Sequence, residues 1–353
     1  MGKPNATQPA SLSQSNSLVL VLNFKVVLAW GRTHSSGDAH RTASGWLNYN
    51  RRMTPYRGRF APSPTGPLHF GSLVAAVGSY LEAKIRGGEW LLRMEDLDTP
   101  RARPGAADAI LRMLEACGLR WDGDILYQSR RGELYRAALA QLETRGLVYA
   151  CGCSRREIAD SGLGPDGALI YPGTCRKGLA PGKQARAKRV RIDGGVIEFE
   201  DAAQGKIRQD LAAAVGDFVL LRADGLYAYQ LAVVVDDAEQ GITDVVRGAD
   251  LLDSTPRQIY LQRLLNLPTP RYLHLPAAVN AAGEKLSKQT RAAPVDAHDA
   301  VPVLVQVMEF LGQAPPAQLR RAALAEFWAW ALSHWDARHI PRQRSRPAPL
   351  TFA

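Results

Sequence analysis

Between residues 57 and 94 the apolar positions change from a short run to a helical spacing and back to a short run. Residues 59–61 predict a short strand, and a stiff proline-rich turn follows them. Apolar side chains near helical spacing predict a helix over residues 68–85, which two glycines end. Residues 90–94 predict a second, compact strand. A strand, a helix and a strand in this order predict a βαβ unit and a parallel sheet.

The same reading extends along the rest of the chain. Periodic segments predict helices over residues 106–117, 133–145, 256–265, 301–311 and 317–332. Strand character returns over residues 226–235 and 242–246. Residues 151–190 are rich in glycine and proline and interrupt the alternation of strands and helices. No internal repeat is visible, so we expect one α/β body with an insertion.

The first 52 residues differ from the rest. They are rich in Ser, Asn and Gln without a sustained helical period, and they predict a disordered extension or a non-native start before Met53. A functional arm is the alternative. Residues 18–30 are the most apolar stretch, but they are shorter than a membrane span and lack the flanks of a signal peptide.

Composition and charge narrow the class of protein. The 353 residues are 46% hydrophobic and 22% charged, which is typical of a globular protein. The net charge of +10 suggests a polyanionic partner, yet half of it falls within residues 1–52. Nucleic acid is therefore plausible from charge but not established by it.

A glycine-containing segment at the predicted helix start carries candidate phosphate chemistry. His69, Gly71 and Ser72 stand where free backbone N–H groups and the positive end of a helix dipole attract phosphate. Gly71 allows close approach of a nucleotide, and His69 can donate to phosphate oxygens. The alternative for an isolated His-x-Gly is a simple helix cap. The proline-bracketed strand, turn and helix favour the phosphate site.

A second basic segment lies far along the chain at Lys285, Ser287 and Lys288. A mobile lysine loop can close over the β- and γ-phosphates of ATP and stabilise the leaving pyrophosphate. A solvated basic loop is the alternative. We expect Lys288 to contribute most, followed by Lys285.

Together the two segments resemble the signature motifs of class I aminoacyl-tRNA synthetases. Residues 59–66, Arg-Phe-Ala-Pro-Ser-Pro-Thr-Gly, are similar to the glutamyl and glutaminyl subgroup. The chain departs from the usual motifs at Phe70, Ser72, Leu286 and Gln289. The resemblance implies a Rossmann-type, doubly wound parallel sheet, with a zinc-binding insertion and a short helical C-terminal part.

The predicted amino-acid end of the site carries acidic and basic groups after strands. Glu95, Asp96 and Asp98 follow the second strand, where ligands of open parallel sheets bind. A solvated acidic turn is the alternative. Arg247 follows a run of valines and is suited to bind a carboxylate bidentately. The resemblance implies a glutamate pocket formed by Arg59, Ala61, Ser63, Glu95, Tyr229 and Arg247, and it leaves open which arginine binds the side-chain carboxylate.

Three of the four cysteines cluster in the insertion. Cys151, Cys153 and Cys175 have a spacing that can hold one tetrahedral zinc ion. Asp166, Tyr171 or water are candidates for a fourth ligand, and three reduced structural thiols are the alternative. The resemblance implies the set Cys151, Cys153, Tyr171 and Cys175 in a structural zinc site. For Cys117, in an apolar helix, we expect core packing, and reduced thiols favour a cytoplasmic protein.

Within the subgroup, the chain resembles the shorter family of glutamyl-Q tRNA(Asp) synthetases. Only 64 residues follow Gln289, fewer than an anticodon-binding domain needs. The family activates L-glutamate with ATP and Mg²⁺ and transfers it to the queuosine base in the anticodon of tRNA(Asp). We expect a monomer without a membrane partner. The alternatives are a truncated glutamyl-tRNA synthetase that charges a tRNA 3′ end, a non-catalytic RNA-binding paralogue, and a ligase with another acceptor.

This reading divides the chain into five parts. They are the extension 1–52, the first catalytic half 53–150, the insertion 151–190, the second half with the lysine loop 191–290, and the helical C-terminal region with its basic tail 291–353.

Overall fold

The computed structural model describes residues 55–286 and 300–349, all within the unit Met53–Ala353. The strands are β1 (Arg57–Phe60), β2 (Glu89–Met94), β3 (Leu126–Tyr127), β4 (Val148–Cys151), β5 (Ala187–Val190), β6 (Val196–Asp201), β7 (Gly205–Asp210), β8 (Val219–Leu221), β9 (Asp244–Gly248), β10 (Arg271–Leu275), β11 (Ala277–Val279) and β12 (Ser345–Pro347). The α-helices are α1 (Phe70–Lys84), α2 (Ala106–Ala116), α3 (Gly132–Thr144), α4 (Leu211–Ala214), α5 (Tyr229–Glu239), α6 (Thr255–Leu265), α7 (Ala300–Phe310) and α8 (Leu324–His334). In these two ranges no helix has the length and apolar character to cross a membrane.

A mostly parallel sheet forms the centre of the fold. β1, β2 and β3 pair in parallel, and so do β9, β10 and β6, while β7 joins β6 as an antiparallel edge. The two groups meet where the Thr243 N–H donates to the carbonyl of Arg57 over 2.9 Å. The resulting order, β3-β2-β1-β9-β10-β6-β7, reverses direction between β1 and β9. This is the doubly wound Rossmann arrangement, and it confirms the predicted fold class.

Helix α1 crosses from β1 to β2 and anchors the core. Its side chains Leu73, Val77 and Leu81 are fully or almost fully buried, because that face lies against the sheet. Gly78 lets the helix approach the strands closely, since a Cβ there would lie 2.6 Å from Cδ1 of Leu275. The close packing fixes the N-terminus of α1 beside the carboxyl ends of the strands.

The insertion lies between β4 and β5, two strands of a small antiparallel sheet whose third member is β8. The insertion has a separate apolar cluster that includes Cys151, Ile158, Tyr171 and Cys175. Gly216 pairs with Tyr171 at a φ of 67°, where a Cβ would lie 2.5 Å from the Tyr171 carbonyl oxygen. That contact attaches the cluster to the catalytic body. The predicted division of the chain into five parts stays a prediction.

The strand predicted over residues 226–235 is wrong, because α5 occupies Tyr229–Glu239. The run of valines favours a strand by propensity, and periodicity does not separate a buried strand from a helix buried on most sides. Helix α5 contacts α3, α6 and β8, so neighbouring apolar residues such as Leu231 and Val234 are all buried. Tertiary contacts here outweigh the β propensity of valine.

The helix predicted over residues 317–332 is also wrong in part. The chain forms a 3₁₀ turn at Ala317–Arg321, becomes extended at Ala322, and begins α8 at Leu324. The restart buries Phe327 completely and lets the Trp328 indole N–H donate to the Cys117 carbonyl over 2.9 Å. Packing of the two aromatic rings therefore overrides the high helix propensity of the alanines. The other predicted helices and strands match the observed ones within a few residues, the strand over 242–246 being displaced to Asp244–Gly248.

Candidate functional site

A cleft of about 540 Å³ opens at the carboxyl ends of β1, β2, β9 and β10. Ligands of doubly wound sheets bind at this edge, where the strand order reverses. Ten of the predicted site residues line it: Arg59, Ala61, Ser63, His69, Gly71, Ser72, Glu95, Tyr229, Arg247 and Lys285. Ser287 and Lys288 lie outside the described residues. The structure thus brings the described candidates to one place, while their individual roles stay predictions.

At the end of β1, Arg59 is held by a buried carboxylate. Its Nε and Nη2 donate to the two oxygens of Asp237 over 3.0 and 3.3 Å, and both side chains are almost completely buried. Arg93, fully buried on β2, donates to the same carboxylate over 2.6 Å. Burial alone would raise the pKa of Asp237, but the charges of Arg59 and Arg93 hold it below its usual range. This carboxylate pairs with both arginines and compensates one of their two positive charges.

Glu95, directly after β2, lies in the cleft and is only one-tenth exposed. Its Oε1 is 3.6 Å from Nε of Arg93, and neither atom has a hydrogen-bond partner among the described residues. Burial raises the pKa of Glu95 to about 7, against the opposing charges of Arg93 and Arg59. A buried carboxylate oxygen without a donor is costly, and an ammonium group of a ligand would satisfy it.

Arg247, near the end of β9, is 5% exposed and has a different environment from Arg59. Its Nη2 donates to Thr255 Oγ1 and to Gln258 Oε1, each over 2.8 Å. Its Nε donates to Nε2 of His274 over 3.1 Å, and its Nη1 lies 3.4 Å from the hydroxyl of Tyr229. In the described part of the chain Arg247 forms no salt bridge, so its charge is not compensated by a carboxylate.

At the opposite end of the cleft, the first turn of α1 forms the predicted phosphate site. His69 caps the helix, and its Nδ1 accepts from the Ser72 N–H over 3.3 Å. The Ser72 hydroxyl lies 3.0 Å from Nε2 of the same ring. A Cβ at position 71 would lie 3.3 Å from the imidazole, so Gly71 leaves room for the ring. The cap that we weighed as an alternative is therefore present, and it lines the cleft together with the candidate phosphate ligands.

Lys285 forms an ion pair with Asp250 across the mouth of the cleft. The pair attaches the start of the lysine loop to the turn that follows β9. Further charged residues of the rim were not predicted, namely Arg101 and Arg222, which both contact Asp98. No strand or motif in the sequence pointed to Arg222, whereas Asp98 had been noted as one of three carboxylates after β2.

The cysteine cluster lies outside the cleft. The Sγ atoms of Cys151, Cys153 and Cys175 are all within 4.8 Å of one another, and those of Cys153 and Cys175 are 3.5 Å apart. The hydroxyl of Tyr171 lies 3.4 Å from Sγ of Cys151 and 3.6 Å from Sγ of Cys153. Asp166, the other side chain considered, forms an ion pair with Arg257 instead.

The donor set fits one tetrahedral metal ion. Ligands held about 2.3 Å from a tetrahedral zinc ion lie roughly 3.8 Å apart, close to the observed separations. Burial opposes ionisation of Cys151, but hydrogen bonds from Tyr171, the backbone and Arg189 lower its pKa to about 7. Because thiolates are the metal-binding form of cysteine, these contacts favour metal binding. The cluster can therefore hold a metal ion.

Cys117 is distant in sequence from this cluster and is completely buried at the end of α2. Its thiol lies 3.9 Å from Sδ of Met113. Burial raises the pKa of Cys117 to about 12, so the thiol stays protonated. Its surroundings are those expected for a packing residue.

Three comparisons place the chain among known proteins. The family model described as "tRNA synthetases class I (E and Q), catalytic domain" matches residues 56–302. A glutamyl-Q tRNA(Asp) synthetase of Dechloromonas aromatica (strain RCB) is 63% identical over 292 residues, covering 82% of this chain and 97% of that protein. A glutamyl-Q tRNA(Asp) synthetase of Aromatoleum aromaticum is 58% identical over 299 residues, covering 85% and 95%. The crystal structure of a glutamate-tRNA synthetase from Elizabethkingia anophelis matches with a TM-score of 0.70 at 24% identity, covering 84% of this chain and 68% of that one, and supports the fold alone.

Proposed function

Because the chain belongs to the class I tRNA synthetases (E and Q), and within them to the glutamyl-Q tRNA(Asp) synthetases, we propose that it activates L-glutamate with ATP and transfers the glutamyl group to the queuosine base in the anticodon of tRNA(Asp). ATP enters with Mg²⁺, which would neutralise phosphate charge. We further propose that the enzyme acts in the cytoplasm as a monomer.

One observation carries the proposal for the substrate. The same cleft is lined by the buried Oε1 of Glu95, which has no donor among the described residues, and by the guanidinium of Arg247, which has no carboxylate partner among them. An amino acid with a carboxylate side chain has one ammonium and two carboxylates, and so complements such a cleft. We assign the ammonium group to Glu95 and the carboxylates to the arginines, with Ala61, Ser63 and Tyr229 as further contacts of the substrate.

The proposed first step forms a glutamyl adenylate. A carboxylate oxygen of glutamate attacks the α-phosphorus of ATP. The bond between the α-phosphorus and the oxygen that bridges to the β-phosphorus breaks, and its electron pair leaves with pyrophosphate. His69, Gly71 and Ser72 at the start of α1 would bind the phosphates. Lys285, Ser287 and Lys288 would stabilise the negative charge of the leaving pyrophosphate.

The proposed second step transfers the glutamyl group to RNA. A hydroxyl of the queuosine cyclopentene ring attacks the carbonyl carbon of the adenylate and loses its proton, while AMP leaves. Catalysis then depends on orientation and charge stabilisation rather than on a covalent enzyme intermediate.

We propose that the metal of the cysteine cluster is zinc, held by Cys151, Cys153, Cys175 and the phenol oxygen of Tyr171. Three thiolates favour zinc over Mg²⁺ or Ca²⁺, which prefer oxygen ligands. The cluster is built into the insertion and away from the cleft, so its role would be structural.

Transfer of labelled glutamate to three RNAs tests the function. The RNAs are tRNA(Asp) with queuosine, the same tRNA without it, and tRNA(Glu), each with ATP and Mg²⁺. We expect label only in the queuosine-containing RNA. Label in tRNA(Glu) would instead indicate charging of a 3′ end, and adenylate formation without any labelled RNA would indicate another acceptor.

A further inference from the structure

Behind Arg247 lies a chain of buried polar side chains to which no role has been given. His274 on β10 and Asp201 at the end of β6 are both completely buried. Nδ1 of His274 lies 2.6 Å from Oδ2 of Asp201, and its Nε2 accepts from Nε of Arg247 over 3.1 Å. No motif in the sequence marks these side chains, and β10, which carries His274, was not among the predicted strands.

The hydrogen bonds of Asp201 fix which nitrogen of His274 carries the proton. Oδ1 of Asp201 accepts from three backbone N–H groups, those of Ala203, Gln204 and His274, over 3.1, 2.8 and 3.2 Å. Its pKa lies below the usual range: burial alone would raise it, and the hydrogen bond to His274 is the largest of the opposing effects. An ionised carboxylate only accepts, so the imidazole hydrogen must be on Nδ1. Nε2 is then a lone-pair acceptor that faces Nε of Arg247 and, 3.2 Å away, the hydroxyl of Thr255.

The imidazole holds Arg247 without a negative charge. Burial lowers the pKa of His274 to about 4, so the ring is neutral near pH 7. Thr255 and Gln258, which bind the other side of the guanidinium, are neutral as well. Arg59 differs, because the carboxylate of Asp237 binds it bidentately. Of the two buried arginines that line the cleft, Arg59 is paired with a carboxylate and Arg247 is held by neutral acceptors.

We propose that Asp201 and His274 are positioning residues for glutamate: they fix the guanidinium of Arg247 in the cleft and leave its charge available to a substrate carboxylate. The inference rests on the proposed activation of glutamate and names residues that act on it through Arg247. It also bears on specificity. Glutamate carries one negative charge more than glutamine, and an uncompensated cation favours the more negative ligand.

The variant Asp201→Asn tests this series of hydrogen bonds, because it replaces one carboxylate oxygen with an amide NH₂ group of similar size. The three backbone donors keep the amide oxygen in the place of Oδ1, so the amide NH₂ faces Nδ1 of His274. Nδ1 must then accept, and the imidazole hydrogen moves to Nε2. Two donors, Nε2–H and the Nε–H of Arg247, then face each other, so the Nε–H loses its acceptor while Nη2 keeps Thr255 and Gln258.

We expect Asp201→Asn to raise the dissociation constant and the KM for glutamate about tenfold, with the KM for ATP changed less than about twofold. Calorimetry gives the dissociation constant, and glutamate-dependent exchange of pyrophosphate into ATP gives the kinetic values. Nitrogen NMR of the histidines should show protonated Nδ1 in the wild type and protonated Nε2 in the variant. The tautomer shift verifies that the variant changes the hydrogen bond as intended, and a merely structural role of Asp201 would then not change the KM for glutamate selectively.

Asp217→Asn is the matched control. Asp217 is also buried and accepts from the Ile192 N–H and from the Tyr149 hydroxyl, and it pairs with Arg176, but none of these partners lines the cleft. The substitution Asp217→Asn should leave the dissociation constant for glutamate unchanged. If Asp201→Asn binds glutamate as tightly as the wild type, or keeps the wild-type tautomer, the inference is overturned.

A second pair of variants keeps the test valid if Asp201→Asn does not fold. In His274→Gln the amide oxygen can take the place of Nε2 and accept from Arg247, whereas His274→Asn is too short to do so. Glutamate should bind more weakly to the Asn variant than to the Gln variant, and equal binding would refute the role of His274. A wild type that binds glutamate but exchanges no pyrophosphate would refute the proposed function and not the positioning role.

Discussion

The predicted amino-acid end of the cleft and the cysteine cluster are both candidate sites built from largely buried side chains, but they are assembled in opposite ways. The cleft joins residues far apart in sequence, since Arg59 and Asp237 are separated by 178 positions. The cluster joins residues within one insertion, with only 22 positions between Cys153 and Cys175. The cleft therefore depends on the whole sheet, while the cluster depends on local chain and, we propose, on a metal ion. Substitutions in the two sites should accordingly affect different measurements.

The largest effect should come from Arg247→Ala in the cleft. Loss of the uncompensated guanidinium should raise the KM for glutamate by on the order of 10²–10³-fold in pyrophosphate exchange, because a buried partner of a charged group is removed. Metal content should stay at the wild-type value. Arg247→Lys keeps the charge without the planar fork, and we expect it to recover part of the loss. If the KM of Arg247→Ala for glutamate is within threefold of the wild-type value, Arg247 does not bind the substrate.

At the cluster, Cys151→Ser should abolish stoichiometric zinc binding and lower the unfolding midpoint by about 5 °C or more, since metal binding contributes to folding. Plasma mass spectrometry and calorimetry measure the two quantities. Cys117→Ser is the control, because Cys117 is a buried thiol without a place in the cluster. Full zinc occupancy in Cys151→Ser would refute the ligand assignment.

The pH dependence of activity tests the cleft through the titration of Glu95. Because burial raises its pKa to about 7, the carboxylate that would bind the substrate ammonium is lost as the pH falls through this value. We expect kcat/KM for glutamate to fall about tenfold per pH unit below pH 7. Glu95→Gln should be less active and should lack this acidic limb.

The titration of Glu95 should also affect stability, but in the opposite direction: activity is lost as the pH falls, whereas stability is lost as the pH rises. The pKa of Glu95 in the folded state lies above the ordinary glutamate value of 4.5, so the folded state binds this proton more tightly. Its contribution to the free energy of unfolding is therefore present at low pH and is lost as the pH rises from about 4.5 to about 7. Glu95→Gln should show a smaller decrease over that interval, and an identical pH dependence of stability would place the titration elsewhere.

The smallest effect should come from Tyr171→Phe. The ring stays under Arg189, whose Cζ is 3.8 Å from the ring centroid, and only the hydroxyl is lost. That hydroxyl accepts from the Cys175 N–H over 2.9 Å. We expect zinc to bind about tenfold more weakly and the unfolding midpoint to fall by about 2 °C. Unchanged zinc affinity would show that the phenol is not a ligand.

The contrast between the sites explains what the sequence could predict. The cysteine cluster was predicted from the spacing of its residues, and His69 and Glu95 from the motifs around them. Both signals depend only on neighbouring positions along the chain. Asp237 was not predicted, because the apolar run that ends at Val235, two residues before it, was assigned to a strand rather than to α5. The link from Asp201 to His274 had no local signal, since it forms only when β6 and β10 lie side by side. Contacts between single polar residues that are far apart in sequence cannot be predicted from periodicity and propensity, which depend on local sequence only.

Strand β12 pairs in parallel with β11, which ends six residues before Lys285. It covers the backbone N–H and C=O groups along one edge of β11, and the Ala348 N–H extends the pairing to the Val279 carbonyl over 2.9 Å. Proteolytic loss of residues 345–349 would expose this edge, and exposed edges pair readily with other chains. For protein production, the integrity of this short tail is thus a criterion of sample quality, and an affinity tag is better separated from it by a flexible linker.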